Sequence, residues 1–122
     1  MILADTSVWI DHFRSRNKEL QKALGQGQIA IHPWIIAELA LGSLKERVKT
    51  LALLDLLPQI QIVQISELRH MIETRHLYST GIGLIDAHLI ASLFLHPPTL
   101  LWTRDKRLRR VAEGLGIHVS LS

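Results

Sequence analysis

The sequence predicts an α/β fold, a single-domain three-layer α/β/α sandwich with a mostly parallel central sheet. Short apolar segments alternate along the chain with longer segments whose apolar residues recur at helical spacing. The strand candidates are almost entirely apolar, which is typical of parallel strands covered by helices on both faces. The 122 residues contain no internal repeat, low-complexity tract or flexible linker, so we expect one domain over residues 1–122.

An apolar strand over residues 1–4 opens the chain and ends at Asp5. A helix over residues 6–13 follows, because Asp5 and the two hydroxyl residues after it are suitable N-caps. A second helix over residues 17–24 stops at a pair of glycines, which commonly terminate helices. Residues 28–32 form the second strand candidate.

A proline can occupy the first turn of the next helix, over residues 33–41, and a glycine closes it. Residues 44–57 form another helix, which a second proline halts. The β-branched run over residues 60–65 predicts a strand, and a helix over residues 66–78 follows it.

A glycine-containing turn leads into an apolar helix over residues 84–95, which ends at two consecutive prolines. Residues 99–103 predict a strand, residues 105–115 a basic helix and residues 117–119 a last short strand. In an open parallel sheet of this kind, functional sites form beyond the carboxyl ends of the strands.

Composition limits the classes of function. Hydrophobic residues make up 48% of the chain, yet no apolar run approaches the roughly 18–20 residues that cross a bilayer. No secretory leader is recognisable, and the lack of cysteine excludes disulfides and thiolate metal sites. We therefore expect a cytoplasmic protein with no membrane partner. The net charge of +3 permits nucleic-acid binding without establishing it.

Four acidic residues stand beside or inside apolar segments. Asp5 and Asp105 follow strand candidates, whereas Glu38 and Asp86 are the only acids in two apolar helices. Taken singly, helix capping explains Asp5 and Asp105, and the helix dipole favours Asp86. Taken together, carboxylates brought to one sheet edge repel one another unless a cation neutralises them. Carboxylate oxygens are ligands that suit Mg²⁺ or Mn²⁺.

Other polar side chains near these acids suggest a nuclease. The hydroxyl residues that can orient the carboxylates or hold a metal-bound water are Thr6, Ser7 and Thr103. A cation held there can activate water and offset the charge of a phosphate. A basic block that can hold the phosphates of a nucleic acid comprises Arg104, Lys106, Arg107, Arg109 and Arg110. The simpler explanation of such a block, taken alone, is a solvated helix face.

Four segments, in the right order, resemble the motifs of PIN-domain proteins, above all the VapC-type toxins of toxin–antitoxin pairs. The family's opening resembles DTSVWID at residues 5–11, and its second motif is similar to the helix that carries Glu38 before Gly42. Its third and fourth motifs look like GLIDAHLIA at residues 83–91 and LWTRDKRL at residues 101–108. The resemblance covers nearly the whole chain.

The resemblance implies a PIN-like fold and an endoribonuclease that depends on Mg²⁺ or Mn²⁺. Its catalytic acids and metal ligands would be Asp5, Glu38, Asp86 and Asp105. Of these, Asp5 and Asp86 would bind the metal directly, and Thr103 would assist them. A metal-activated water would attack an RNA phosphodiester in line and leave a 5′-phosphate and a 3′-hydroxyl. The implied partners are RNA, an antitoxin protein seated on the helices of residues 33–57, and a second copy in a homodimer.

Other protein classes that use acidic residues fit this sequence less well. A phosphoacceptor receiver domain needs paired acids after the first strand, and a haloacid-dehalogenase-like phosphatase needs an Asp-x-Asp pair there, whereas Asp5 stands alone. The seven histidines lack the paired spacing of a zinc site, and we expect most of them at the surface or the core edge. The alternative that stays open is a PIN-like module that binds RNA or protein without cutting.

Overall fold

A parallel sheet forms the centre of the protein. The computed structural model describes residues 1–121, so Ser122, the last residue of the predicted domain, lies outside the described part. The strands are β1 Ile2–Ala4, β2 Ile29–Ala30 and β3 Leu100–Trp102. They pair in the order β2–β1–β3, all parallel. Because Ala4 pairs with Trp102, the segments that follow β1 and β3 leave the sheet side by side.

Seven helices accompany the sheet within the described residues, and all seven were predicted. They are α1 Thr6–Ser15, α2 Lys18–Gly25, α3 Pro33–Ala40, α4 Arg47–Asp55, α5 Ile65–Thr74, α6 Leu84–Phe94 and α7 Lys106–Gly114. The predicted α/β/α sandwich with a parallel sheet is confirmed. None of the helices described here has the length and hydropathy that a bilayer span requires.

Two helices, α4 and α5, differ most from their predicted bounds, and the backbone gives the reason. α4 begins after Glu46, whose φ of 46° lies in the left-handed region, and not at the start of the predicted residues 44–57. α5 ends at Thr74 because His76, two residues later, has a φ of 53°. A right-handed helix cannot continue through a residue in the left-handed conformation. α4 therefore begins only after Glu46, and α5 ends before His76.

The predicted strand over residues 60–65 is wrong, because the pairing of this segment stops at a single bridge just before it. Gln59 pairs with Ile31, and the N–H of Ile60 donates to the carbonyl of Ile31 at 2.8 Å. The next rung would need a donor from Pro33, which has no N–H and already begins α3. The pairing therefore ends there, although the β-branched composition of the segment favours a strand.

The predicted strand over residues 117–119 is likewise reduced to one bridge. Leu101 pairs with His118: its N–H donates to the carbonyl of Ile117 at 2.7 Å, and its carbonyl accepts from Val119 at 3.0 Å. β3 is only three residues long, so it offers little backbone for further pairing. Each outer strand thus has one isolated bridge as its outer neighbour.

The core covers both faces of β1. Leu3 and Ala4 point to opposite faces of the sheet, and both are fully buried. Trp102 of β3 is buried beside them, and its indole N–H donates to the carbonyl of Leu121 at 3.2 Å. α6 is buried over residues 87–93. This packing fixes the carboxyl ends of β1 and β3 next to each other.

Leu3→Ala is expected to lower the free energy of unfolding by about 2–5 kcal/mol, because it leaves a cavity where a fully buried side chain stood. Leu41→Ala is the matched control, since Leu41 is 90% exposed, and should change stability by less than about 0.5 kcal/mol. Urea denaturation of both variants and the wild type measures the difference. Equal losses in the two variants would contradict the core described above.

Candidate active site

Asp5 is positioned by the end of β1. Its N–H donates to the carbonyl of Trp102 at 3.0 Å, and its side chain caps α1 by accepting from the N–H of Val8 at 3.3 Å. Asp5 is 5% exposed, and this burial raises the pKa of its carboxyl above the ordinary value. Hydrogen bonds from Ser7 and Thr103 act in the opposite direction. The carboxylate is therefore partly stabilised by its donors and still open to stabilisation by positive charge.

Two hydroxyl groups hold the two oxygens of the Asp5 carboxylate. Ser7 Oγ donates to Oδ1 at 2.5 Å, and Thr103 Oγ1 donates to Oδ2 at 2.5 Å. Ser7 Oγ in turn accepts from the N–H of Arg104 at 2.9 Å. Thr103 Oγ1 accepts from the N–H of Asp105 at 3.0 Å. Because each hydroxyl accepts from the backbone, its own proton is directed at Asp5. Oδ1 also accepts from the N–H of Val8, whereas Oδ2 keeps a lone pair for a further partner.

Glu38 reaches from α3 to the start of α1. Thr6 Oγ1 donates to Glu38 Oε1 at 2.7 Å, in a partly buried hydrogen bond. Thr6 is the residue next to Asp5, so this bond ties the second acid to the segment that carries the first. The lone acid of the apolar helix is thus turned inward and is not simply the solvent-facing position of a buried helix.

Asp86 lies half-buried in the first turn of α6. Its pKa is raised from 3.8 to about 6, chiefly because burial removes water from the carboxylate. The negative charge of Asp5 raises the pKa further, as do those of Asp105 and Glu38, while a backbone hydrogen bond from Gly83 lowers it. The four acids therefore share one electrostatic environment, in which a cation or a proton relieves the repulsion.

Asp105 differs from the other three acids because it is exposed to solvent. It caps α7, and its Oδ1 accepts from the N–H of Leu108 at 2.9 Å. Its own N–H is bonded to Thr103, so it belongs to the same turn that holds Asp5. One of its carboxylate oxygens thus has a structural task in addition to any part it takes in a site.

The charges of the other three acids act on Asp86, but the four acids do not form a closed metal cage within the described residues. Within residues 1–121, no three acidic or histidine side chains stand in an arrangement that could hold a metal ion as they are. The donors nevertheless suit a hard divalent cation, because they are carboxylates with hydroxyl neighbours. The raised pKa values of Asp5 and Asp86 mark carboxylates whose charged forms a cation would stabilise. The residues fit Mg²⁺ or Mn²⁺ in ligand type and in charge.

The predicted basic block divides into residues with different tasks. Its members that are exposed to solvent are Arg104, Lys106, Arg107 and Arg110. Arg109, in contrast, donates from Nη2 to the carbonyl of Thr103 at 3.0 Å and so braces the turn that holds Asp5. Arg107 lies against Gly81, where an added Cβ would be 3.2 Å from Arg107 Cδ. Arg107 is thereby kept beside the turn that leads into α6.

The sequence did not reveal the role of His32. His32 is fully buried, unlike the surface or core-edge position expected for most of the histidines. Its Nδ1 accepts from the N–H of Trp34 at 3.1 Å, so Nε2 carries the proton toward Ser92 Oγ, 3.0 Å away. Burial, above all, lowers the pKa of His32 to about 4, so the ring is neutral. The sequence feature that could have indicated this role is the position of His32 directly before Pro33, where α3 needs an N-cap.

The sequence also did not reveal the partner of Arg104. Asp11 Oδ2 lies 3.5 Å from Arg104 Nη1 in a partly exposed ion pair. The available signal was the four-residue spacing between Ser7 and Asp11, which puts both side chains on one face of α1. Both side chains of this face contact the segment that follows β3.

Comparison with known proteins agrees with this arrangement. The family model described as PIN domain matches residues 2–114. The chain is 43% identical over 120 residues to a protein named Ribonuclease VapC32 from Mycobacterium tuberculosis, and the match covers 98% of this chain and 97% of that protein. The protein of this name gives the same figures in two strains, CDC 1551 / Oshkosh and ATCC 25618 / H37Rv.

Asp86→Asn is expected to gain stability over the wild type as the pH rises from about 4 to about 7. The folded protein holds a proton on Asp86 up to a pKa of about 6, whereas the unfolded chain releases it near 3.8. The free energy of unfolding therefore loses this contribution between those values as pH rises, and the neutral amide avoids the loss. Urea denaturation in chelator over this pH range measures the difference between the two proteins.

The buried His32 titrates with the opposite sign, because its folded pKa of about 4 lies below the ordinary value of 6.5. The comparison between variants cancels that contribution, which both proteins share. Asp55→Asn is the matched control, since it makes the same chemical change at an exposed acid. A constant difference between Asp86→Asn and the wild type over the whole pH range would contradict the assigned pKa.

Proposed function

The chain belongs to the PIN-domain family, as its four motifs predicted, and we propose that it is a metal-dependent endoribonuclease acting as the toxin of a toxin–antitoxin pair. The observation that best supports this is the buried Asp5 carboxylate at the end of β1, which two hydroxyls orient and which shares its electrostatic environment with three further acids. The relative named as a ribonuclease supports RNA as the substrate class.

Asp5 and Asp86 are the proposed direct ligands of a Mg²⁺ or Mn²⁺ ion, because burial raises the pKa of both carboxyls and a cation would offset that cost. Glu38 and Asp105 would bind the same ion, directly or through water, or a second ion. When bound, the ion supplies an acidified water and neutralises charge on the phosphate.

Hydroxyl side chains would keep the carboxylates in place during hydrolysis. Ser7 and Thr103 hold Asp5, and Thr6 holds Glu38. Such support fixes the direction of a ligand's free lone pair. Water would attack phosphorus in line with the departing 3′ oxygen, the P–O3′ bond would break, and the products would be a 5′-phosphate and a 3′-hydroxyl. No side chain is required as a nucleophile.

RNA would approach along the start of α7. The exposed cations there flank Asp105 and would hold phosphates beside the acids; they are Arg104, Lys106, Arg107 and Arg110. Arg109 contributes less to this proposed contact, because its guanidinium is engaged with the carbonyl of Thr103.

An antitoxin would bind along α3 and α4. The most exposed apolar side chains of these helices and the turns beside them are Leu41, Val48 and Leu56. A cavity of about 560 Å³ lies between this region and α1, is lined by Ile10, Phe13 and Leu39, and reaches Glu38. An apolar segment seated there would extend to the acidic residues and obstruct them. The protein would also form a homodimer in the cytoplasm. Ile65 and other apolar side chains that do not line the cavity are exposed, and a second copy would cover them.

Asp5→Asn is expected to reduce RNA cleavage by about 100-fold or more, because the amide keeps the size and the capping oxygen of Asp5 but lacks its charge. The purified protein is incubated with total cellular RNA in Mg²⁺, Mn²⁺ or chelator, and the cut ends are mapped. The wild type should give defined, chelator-sensitive cuts with 5′-phosphate ends.

Asp55→Asn removes one exposed acid by the same chemical change and should cleave like the wild type. Circular dichroism checks that both variants fold. Unchanged turnover in Asp5→Asn, in a preparation free of contaminating nuclease, would refute the active-site assignment. Salt-sensitive RNA binding by the wild type without any cleavage would favour the binding-only module.

Production of the wild-type chain in bacteria without a partner protein is expected to slow growth soon after induction, because uncontrolled RNA hydrolysis halts protein synthesis. The matched Asp5→Asn protein, made at the same soluble level, should leave growth near normal. Optical density and the amount of soluble protein are followed together. Normal growth with abundant soluble wild-type protein would count against the toxin role. It would not decide whether the protein cleaves RNA, which the cleavage test measures separately.

A further inference from the structure

We propose that Asp11 is a positioning residue, which holds the guanidinium of Arg104 at the rim of the acidic cluster, ready to bind an RNA phosphate. The acidic cluster here means Asp5, Glu38, Asp86 and Asp105. This inference rests on the proposed ribonuclease function and adds to it a residue outside the four acids and their hydroxyl partners.

Two contacts attach Arg104 to one face of α1. Its backbone N–H donates to Ser7 Oγ at 2.9 Å, and its Nη1 lies 3.5 Å from Asp11 Oδ2. Ser7 and Asp11 are four residues apart in α1, so their side chains lie one above the other on the helix. Backbone and side chain of Arg104 are thus both aligned along α1, and the first contact is made by a hydroxyl that also holds Asp5.

Asp11 is itself held by a second partner, which contacts the same oxygen as Arg104. Its Oδ2 accepts from Asn17 Nδ2 at 3.0 Å. Asn17 is buried and caps α2, its Oδ1 accepting from the N–H of Leu20 at 3.0 Å. Its backbone N–H also donates to His12 Nδ1 at 3.0 Å. The carboxylate that faces Arg104 is therefore anchored to the junction of two helices and is not a freely rotating surface acid.

Stability alone does not account for this pair. Its side chains are 47% and 28% exposed, and ion pairs at such exposure contribute little to folding. What the pair does restrict is the direction of a long side chain that otherwise has many rotamers. A guanidinium has five N–H donors, so one contact with Asp11 leaves others free for the oxygens of a phosphate.

Besides Asp11, two acids of the acidic cluster are connected to Arg104. Asp105 is the next residue in the chain, and Ser7 connects Arg104 to Asp5. A released guanidinium would be drawn toward these acids, where it would be lost to RNA and would compete with a cation. Asp11 thus keeps the positive charge beside the acids without neutralising them.

The direction in which Asp11→Asn changes RNA binding distinguishes a positioning role from simple repulsion of the RNA by a negative charge. Removing an acid near a nucleic-acid surface ordinarily strengthens binding, because it removes repulsion of the phosphates. If Asp11 positions Arg104, Asp11→Asn must weaken binding instead. The amide can still accept the hydrogen bond from Asn17 Nδ2, so the substitution removes the charge while leaving the helix junction its hydrogen bond.

The test measures the affinity of the full chain for a short labelled single-stranded RNA of mixed sequence, by fluorescence anisotropy in chelator at several salt concentrations. Asp11→Asn and Arg104→Gln should each weaken binding by about threefold to fivefold. The double variant should bind no worse than Arg104→Gln alone, because both changes disable the same contact. Asp11→Glu should restore part of the affinity, and Asp55→Asn should bind at least as well as the wild type.

Steady-state cleavage gives a second readout: Asp11→Asn should raise KM by a similar factor and leave kcat within about twofold of the wild type. Unchanged or tighter RNA binding by Asp11→Asn would overturn the inference, and so would additive losses in the double variant. Either of these results can occur while the wild type binds and cleaves RNA, so the inference can fail although the proposed function stands. If the wild type itself shows no salt-sensitive RNA binding and no cleavage, the proposed function fails, and the inference falls with it.

Discussion

The arrangement of the site depends on one interaction, the grip of Ser7 and Thr103 on the carboxylate of Asp5. Thr103 follows β3 and Asp5 follows β1, and the parallel register that pairs Ala4 with Trp102 brings the two strand ends together. Burial by itself would favour the protonated acid, whereas two hydroxyl donors at 2.5 Å stabilise the anion in one orientation. The negative charge of this carboxylate in turn raises the pKa of Asp86.

Local pattern predicted most of the fold, and the failures occurred where a distant partner decides. All seven helices and the three strands could be predicted because apolar spacing, caps and prolines are local signals. The strand over residues 60–65 failed since its partner has Pro33 where a donor is needed, a fact that its own residues do not reveal. Helix ends at Glu46 and His76 were missed because left-handed residues other than glycine have no clear signature.

Charged residues were harder to assign than helices, because the role of a charge depends on what lies opposite it. The positions of the four acids in apolar surroundings marked them as candidates, and the structure gives them a common environment. Within one basic block, however, Arg109 braces a carbonyl of the backbone while Arg104 pairs with Asp11. Neither contact has a signal in the block itself, since Asp11 belongs to another segment of the chain and Arg109 binds a backbone carbonyl, which every residue type carries.

The narrow sheet has a consequence for how copies of the protein behave when they are concentrated. β2 has two residues and β3 has three, and isolated bridges at Gln59 and His118 cover part of their outer edges. Edges this short expose too few backbone donors and acceptors to template a strand from another molecule. Growth into fibrils through the sheet is thereby disfavoured, and association between copies is left to the side chains that the helices display.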